Sequence, residues 1–120
     1  MSQSAAQAAQ FFREVAASAT VWTLRDSHGL PTVHTPEGQA MPFWSSRARA
    51  AAVAAAVPAY RDFEPTEIGW SDFRDRWLPG LRRDGLRVGV NWTGTRATGY
   101  DFEPQEVLDR LEGAIARSDS

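Results

Sequence analysis

Between Gly85 and Thr93 the chain alternates apolar and polar positions without a break. Leu86, Val88, Val90 and Trp92 share one parity, and Arg87, Gly89 and Asn91 the other. A period of two places each set on one face of an extended backbone, so the segment predicts a half-buried strand. Arg82-Arg83-Asp84-Gly85, just before it, has the residues of a tight turn. Upstream the period becomes helical. Phe73 and Trp77 lie four apart on the inner face of a short helix, with Ser71-Asp72 placed to cap and charge its start and Leu78-Pro79-Gly80 expected to end it.

The same reading covers the rest of the chain. Residues 2–19 read as a helix with Phe11, Phe12, Val15 and Ala19 on one stripe, and its polar first part, residues 1–8, is expected to fray. Val21 to Leu24 reads as a strand, and Asp26-Ser27-His28-Gly29 as a turn that returns Leu30 to Thr35 antiparallel to it. Pro36-Glu37-Gly38 is a second turn. An extended piece, Met41-Pro42-Phe43-Trp44, then leads into a Ser45-Ser46 cap. The helix from Arg47 to Val57 is alanine on nearly every side, which permits close approach to a sheet, and Pro58 stops it. Phe63 to Ile68 is a further strand and Gly94 to Gly99 a small, mobile loop. Pro104 opens a last helix with Val107, Leu108, Leu111 and Ile115 on its apolar face, and the tail from residue 117 is expected to be disordered. Asp62-Phe63-Glu64-Pro65 recurs as Asp101-Phe102-Glu103-Pro104, the same turn grammar used before a strand and then before a helix. The sum is an α+β single domain over residues 1–120, a largely antiparallel sheet of about four strands packed against three to four helices.

Composition narrows the function classes. At 120 residues, with 42% hydrophobic positions and five Trp, the chain can fold on its own core without a metal or disulfide. It has no cysteine, which removes thiolate nucleophiles and Cys-based zinc sites and fits a reducing, cytoplasmic setting. The net charge of −2 speaks against a nucleic-acid partner, and no apolar run approaches the roughly 20 residues of a membrane span. All thirteen basic residues are arginine. Coding bias accounts for that together with the alanine excess, although arginine is also the basic residue of interfaces.

Val21-Trp22-Thr23-Leu24, Pro42 through Arg47, Phe73 through Gly80 and Gly85 through Thr93 together resemble the bacterial domain of unknown function 2750 family, over roughly Ala9 to Leu111. Trp77-Leu78-Pro79-Gly80-Leu81 and Val88-Gly89-Val90-Asn91-Trp92 are the most specific runs, and the alanine-rich helix departs from a more mixed family composition. The resemblance implies a compact α+β fold and a soluble bacterial protein; it implies no reaction.

Chemistry is sparse. His28 and His34 lack metal-ligand spacing, no Gly-x-Ser-x-Gly elbow occurs, and residues 94–99 have the glycines of a phosphate loop without its Lys-Ser/Thr ending. The acidic residues have local roles in caps, turns and solvated faces. No catalytic residue, metal or cofactor is therefore assigned, and a non-enzymatic reading is preferred. Trp44 and Trp70 precede helix starts, where they either pack over the helix entry or serve as aromatic anchors flanked by Arg47, Arg49, Arg74 and Arg76. Asn91 either hydrogen-bonds a turn or neighbouring strand, or faces a groove with Thr93 and Arg96. The expectation is a cytoplasmic protein-interaction module, an immunity-type or regulatory inhibitor that binds a protein partner or itself. The alternative is a small-ligand-binding domain or minor enzyme with a groove near Asn91 and the 94–99 loop.

Overall fold

In the structure, a computed structural model that describes residues 2–94 and 97–118, two groups of helices cover the two faces of a sheet. Helix α1 (Gln3–Ser18) leads into β1 (Thr20–Arg25), β2 (Val33–Thr35) and β3 (Gly38–Phe43). Helix α2 (Arg47–Ala56) and a 3₁₀ turn (Pro58–Tyr60) follow, then β4 (Glu64–Gly69), a helix α3 over residues 70–83, β5 (Arg87–Val90), β6 (Asp101–Phe102) and α4 (Pro104–Ser118). The α+β class stands. The order β2-β3-β5-β6 makes a four-stranded sheet whose central β3–β5 pair is parallel, and β1 and β4 form a separate antiparallel ribbon. Trp22 and Trp44 join ribbon to sheet by exchanging backbone hydrogen bonds of 2.8 and 2.7 Å.

The expected hairpin between β1 and residues 30–35 does not form. Asp26 to Gly29 does turn, with the Asp26 carboxylate accepting the His28 N–H at 2.8 Å, but β1 then pairs with β4 from Thr20–Gly69 to Arg25–Glu64. Pro31 follows the turn and has no N–H to give a ladder, so the chain leaves the ribbon there. The actual hairpin is β2–β3, around Pro36-Glu37.

Two further boundaries differ. Residues 3–8 are part of α1, Met1 lying outside the described residues: Ser2 caps the helix by accepting the Ala5 N–H, Gln7 and Ala8 are buried, and the stripe ends at Val15 because Ala19 is the exposed left-handed C-cap (φ 57°). Leu78-Pro79-Gly80 does not end a helix either. The helix starts at Trp70, whose N–H bonds to the Ala19 carbonyl, and runs to Arg83 through a π turn at Phe73–Trp77, where the Leu78 N–H reaches back to the Phe73 carbonyl. Proline lacks an N–H and its ring crowds the carbonyl four residues back; one wide turn ahead of Pro79 relieves that crowding and lets the helix continue. At the other end, α4 extends to Ser118, and residues 119 and 120 of the expected tail lie outside the described residues. The turn grammar at Asp62 and Asp101 does precede β4 and α4 respectively.

One face of the sheet carries Met41, Phe43, Val88 and Val90 against Phe11, Phe12 and Val15 of α1, Phe73, Leu78 and Leu81 of α3 and Val107 and Leu111 of α4. The other carries Ala40, Trp44 and Trp92 against Ala50, Val53 and Ala54 of α2 and Tyr60. The small residues of α2 allow this close contact, as expected. Trp92 is the surprise, because strict alternation would have placed it with Val88 and Val90.

Candidate partner-binding face and the polar junction

Trp92 changes sides because the strand ends at Val90 and Asn91 takes a left-handed backbone conformation (φ 51°). The indole then lies across Gly89, where an added Cβ would sit 2.4 Å from its Cε2 and Cζ2, and against Gly99, where the same atom would be 2.6 Å from Cδ1. Its Nε1 donates to the Tyr100 carbonyl at 2.9 Å, and its own carbonyl accepts Trp44 Nε1 at 2.9 Å. Trp44 is fully buried. Of the two roles open to it, packing is the one it performs, and no part of its side chain is offered to a partner.

Asn91 is also fully buried. Its Oδ1 accepts the Ser45 backbone N–H at 2.9 Å, and its Nδ2 donates to the Ser45 hydroxyl at 3.0 Å and the Gln7 carbonyl at 3.2 Å. It therefore bonds the chain that leaves β3 instead of facing a groove. Gln7 Nε2 donates to Thr93 Oγ1 at 2.8 Å, so Thr93 belongs to the same junction, and Arg96 lies outside the described residues. The junction continues outward. The Ser45 hydroxyl donates to Glu14 at 2.6 Å, and Arg49 grips both Glu14 oxygens at 3.0 and 2.9 Å and Gln10 at 2.9 Å. The Arg49 hydrogen bond is the main cause that holds the Glu14 carboxyl below its ordinary range, against the opposing effect of burial and with help from Ser45. A carboxylate so held is a poor general base, so the Ser45–Glu14 contact is a tie between α1 and the ends of the parallel strands.

The remaining predicted partner residues divide between the two faces. Arg47, at the start of α2, stacks over Trp22 at 5.8 Å. Trp70, Arg74 and Arg76 share α3. Trp70 is half-buried against the first core and carries the Arg74 guanidinium over its ring at 6.0 Å, while Arg74 also clasps Asp75 with bonds of 2.7 and 2.8 Å. The Arg74 hydrogen bond lowers the Asp75 pKa. Arg76 faces Asp72 at 3.7 Å.

Helix α3 is bordered by a cavity on each side. Toward α4 a cavity of about 510 Å³ is lined by Arg74, Leu78, Pro79, Arg82, Arg83, Pro104, Gln105 and Leu108. Toward β3 a smaller one of about 270 Å³ includes Met41, Arg76, Trp77 and Leu81. The larger cavity has an apolar floor, three guanidinium groups and no carboxylate in its lining, although the chain as a whole carries fifteen acidic residues against thirteen basic. Sequence reasoning found Arg74 and missed Arg82 and Arg83, because a double arginine before Asp-Gly reads as a turn. The structure makes them the last residues of α3.

Elsewhere, ionisable groups pair within the fold. Arg87 on β5 bonds Asp101 at 2.8 Å and Glu103 at 2.7 Å. Burial opposes its charge, yet the Asp101 hydrogen bond and the two carboxylates raise its pKa overall. His28 is an exposed turn residue and His34 an exposed residue of β2. Among the described residues no helix is long and apolar enough to cross a membrane.

No curated protein matches the chain. The family described as "Protein of unknown function (DUF2750)" matches residues 8–111, a span that contains α1 from Ala8 on, both specific runs and the first half of α4. The chain belongs to the DUF2750 family.

Proposed function

We propose that the protein is a non-enzymatic interaction module of the cytosol that docks a protein partner along α3. Inhibition or regulation of that partner is the outcome, an immunity protein being its sharpest form by analogy with other small α+β inhibitors. The observation that supports this reading is the cavity between α3 and α4, apolar in its floor and rimmed by Arg74, Arg82 and Arg83. Arginine is enriched at protein interfaces, and arginines grouped beside apolar side chains are the composition of interface hot spots. Trp70 adjoins Arg74 on the same helix, and Arg76 lines the smaller cavity on the helix's other side.

The test is affinity capture of the tagged protein from lysate of its source cells at physiological salt, read by mass spectrometry. Wild type and Arg74→Glu/Arg82→Glu are compared, both variants shown to be folded by thermal melts. A stoichiometric protein held by wild type and lost by the double variant is the expected result. Wild type with no partner, or with only a second copy of itself, refutes the reading.

A further inference from the structure

We propose that the cavity between α3 and α4 receives a short acidic segment of the partner, in which carboxylates flank one apolar side chain; this rests on the interaction reading above. The volume, about 510 Å³, falls within the range of clefts that hold a ligand. Leu78 and Pro104, buried, and the half-buried Leu108 give an apolar group a surface to cover, and the arginines give carboxylates three guanidinium partners.

The three arginines differ in how far the protein already satisfies them. Arg82 makes no hydrogen bond, ion pair or ring contact through its side chain among the described residues. Arg83 has only Asp84, the next residue, at 3.4 Å. Arg74 has Asp75, also the next residue, and the Trp70 ring, with Glu112 of α4 adding a more distant attraction. Ion pairs between sequence neighbours in solvent are weak and exchange readily. A guanidinium has five N–H donors and Arg74 uses two of them on Asp75, so a second carboxylate can be bound without breaking the first pair. Charge complementarity thus favours an anion at all three positions.

A peptide is favoured over a nucleic acid by what surrounds the rim. Asp75 and Glu112 act on Arg74, Asp84 stands beside Arg83 and Asp109 accepts from Gln105, so negative charge lies next to the lining. A long polyphosphate has to run past them, whereas two or three carboxylates spaced around an apolar residue meet the arginines alone.

The test uses a panel of seven-residue peptides, each with four Asp or Glu around a central Leu, Ile, Val, Phe, Met, Tyr or Trp, and a matched panel with Asn and Gln in place of the acids. Binding is followed by amide chemical shifts of the isotope-labelled protein. Acidic members are expected to shift the Arg82, Arg83, Gln105 and Leu108 signals, to weaken at least tenfold with Arg82→Glu, and to outcompete both the neutral panel and a heptathymidine strand. The inference is overturned if no acidic member moves those signals at millimolar concentration, if neutral members bind equally well, or if heptathymidine binds more tightly. The capture experiment separates the two failures: a protein partner still held by Arg74→Glu/Arg82→Glu refutes this occupant and leaves an interaction module that uses another surface. No partner at all refutes the module itself.

Discussion

Replacing Asn91 tests the structural account of the polar junction most directly. Its side chain is the acceptor for the buried Ser45 N–H and a donor to the Gln7 carbonyl and the Ser45 hydroxyl, and its backbone is left-handed. Asn91→Ala leaves the Ser45 N–H without a partner, at about 1–3 kcal/mol, and deletes two further hydrogen bonds worth about 0.5–1.5 kcal/mol each. Alanine also tolerates the left-handed region less well than asparagine, by roughly 1 kcal/mol. The expected total is about 3–7 kcal/mol, a large part of the roughly 5–15 kcal/mol that holds such a domain together. Asn91→Gly loses the same bonds but relieves the backbone, so it should be about 1 kcal/mol less damaging than alanine. Asn91→Asp keeps an acceptor for Ser45 and turns an oxygen toward the Gln7 carbonyl, with Glu14 sharing the Ser45 hydroxyl. Burial and that neighbour raise the pKa of the introduced carboxyl above its unfolded value. Its stability is then best below about pH 4 and declines relative to wild type as pH rises toward 7. Urea unfolding followed by tryptophan fluorescence reads all three variants. A cost below about 1 kcal/mol for alanine, or glycine more harmful than alanine, refutes the reasoning.

Three further outcomes follow from the same geometry. Gly89→Ala pushes a methyl into the Trp92 indole, which Gly99 and the Tyr100 carbonyl hold from the other side. It should cost about 1–3 kcal/mol and alter the near-UV circular dichroism of the tryptophans, and an unchanged spectrum with unchanged stability contradicts the contact. Asp101→Ala leaves Arg87, whose side chain is 17% exposed, with Glu103 and the backbone carbonyl at position 101, at a cost of about 2–3 kcal/mol. Adding Arg87→Met should recover much of that loss, and a double-mutant cycle with purely additive losses rules out the pair. The folded pKa of Glu14 is lowered from 4.5, so its tie to Arg49 and Ser45 contributes fully above that pH and is lost as pH falls through the folded value. The side chain is 39% exposed, so the contribution is screened to about 1 kcal/mol or less; Glu14→Gln should flatten the acid limb of stability against pH, and an identical limb argues against the tie.

What the sequence revealed was whatever is decided within a few residues: the Phe11–Val15 stripe, the strand at β5, the Ser46 cap of α2, Pro104 at the start of α4. Pairing over distance was hidden. Nothing local to Val21–Leu24 says that its partner is Glu64–Gly69, some forty residues on, and an adjacent turn made the nearer pairing look better. The candidate cavity was hidden for the same reason, since Arg82 meets Pro104 and Leu108 only once α3 and α4 are docked. The two runs that carried the family resemblance failed in a different way. Trp77-Leu78-Pro79-Gly80-Leu81 obeys the rule that proline stops a helix, and the structure evades it with a π turn. Val88-Gly89-Val90-Asn91-Trp92 obeys the rule of alternation, and a left-handed Asn91 sends Trp92 to the other face. Both irregularities cost local free energy that only tertiary contacts offset: Phe73, Leu78 and Leu81 in one core, the Asn91–Ser45–Gln7 bonds and the Gly89–Trp92 contact at the other. The distinctiveness of these runs and their resistance to local prediction thus have one cause, since a backbone departing from regular geometry accepts few residues at each position. Pro79 follows directly on the π turn and lines the arginine-rimmed cavity as well, so the turn that carries α3 past it also sets Arg74 and Arg82 on the same side of the helix.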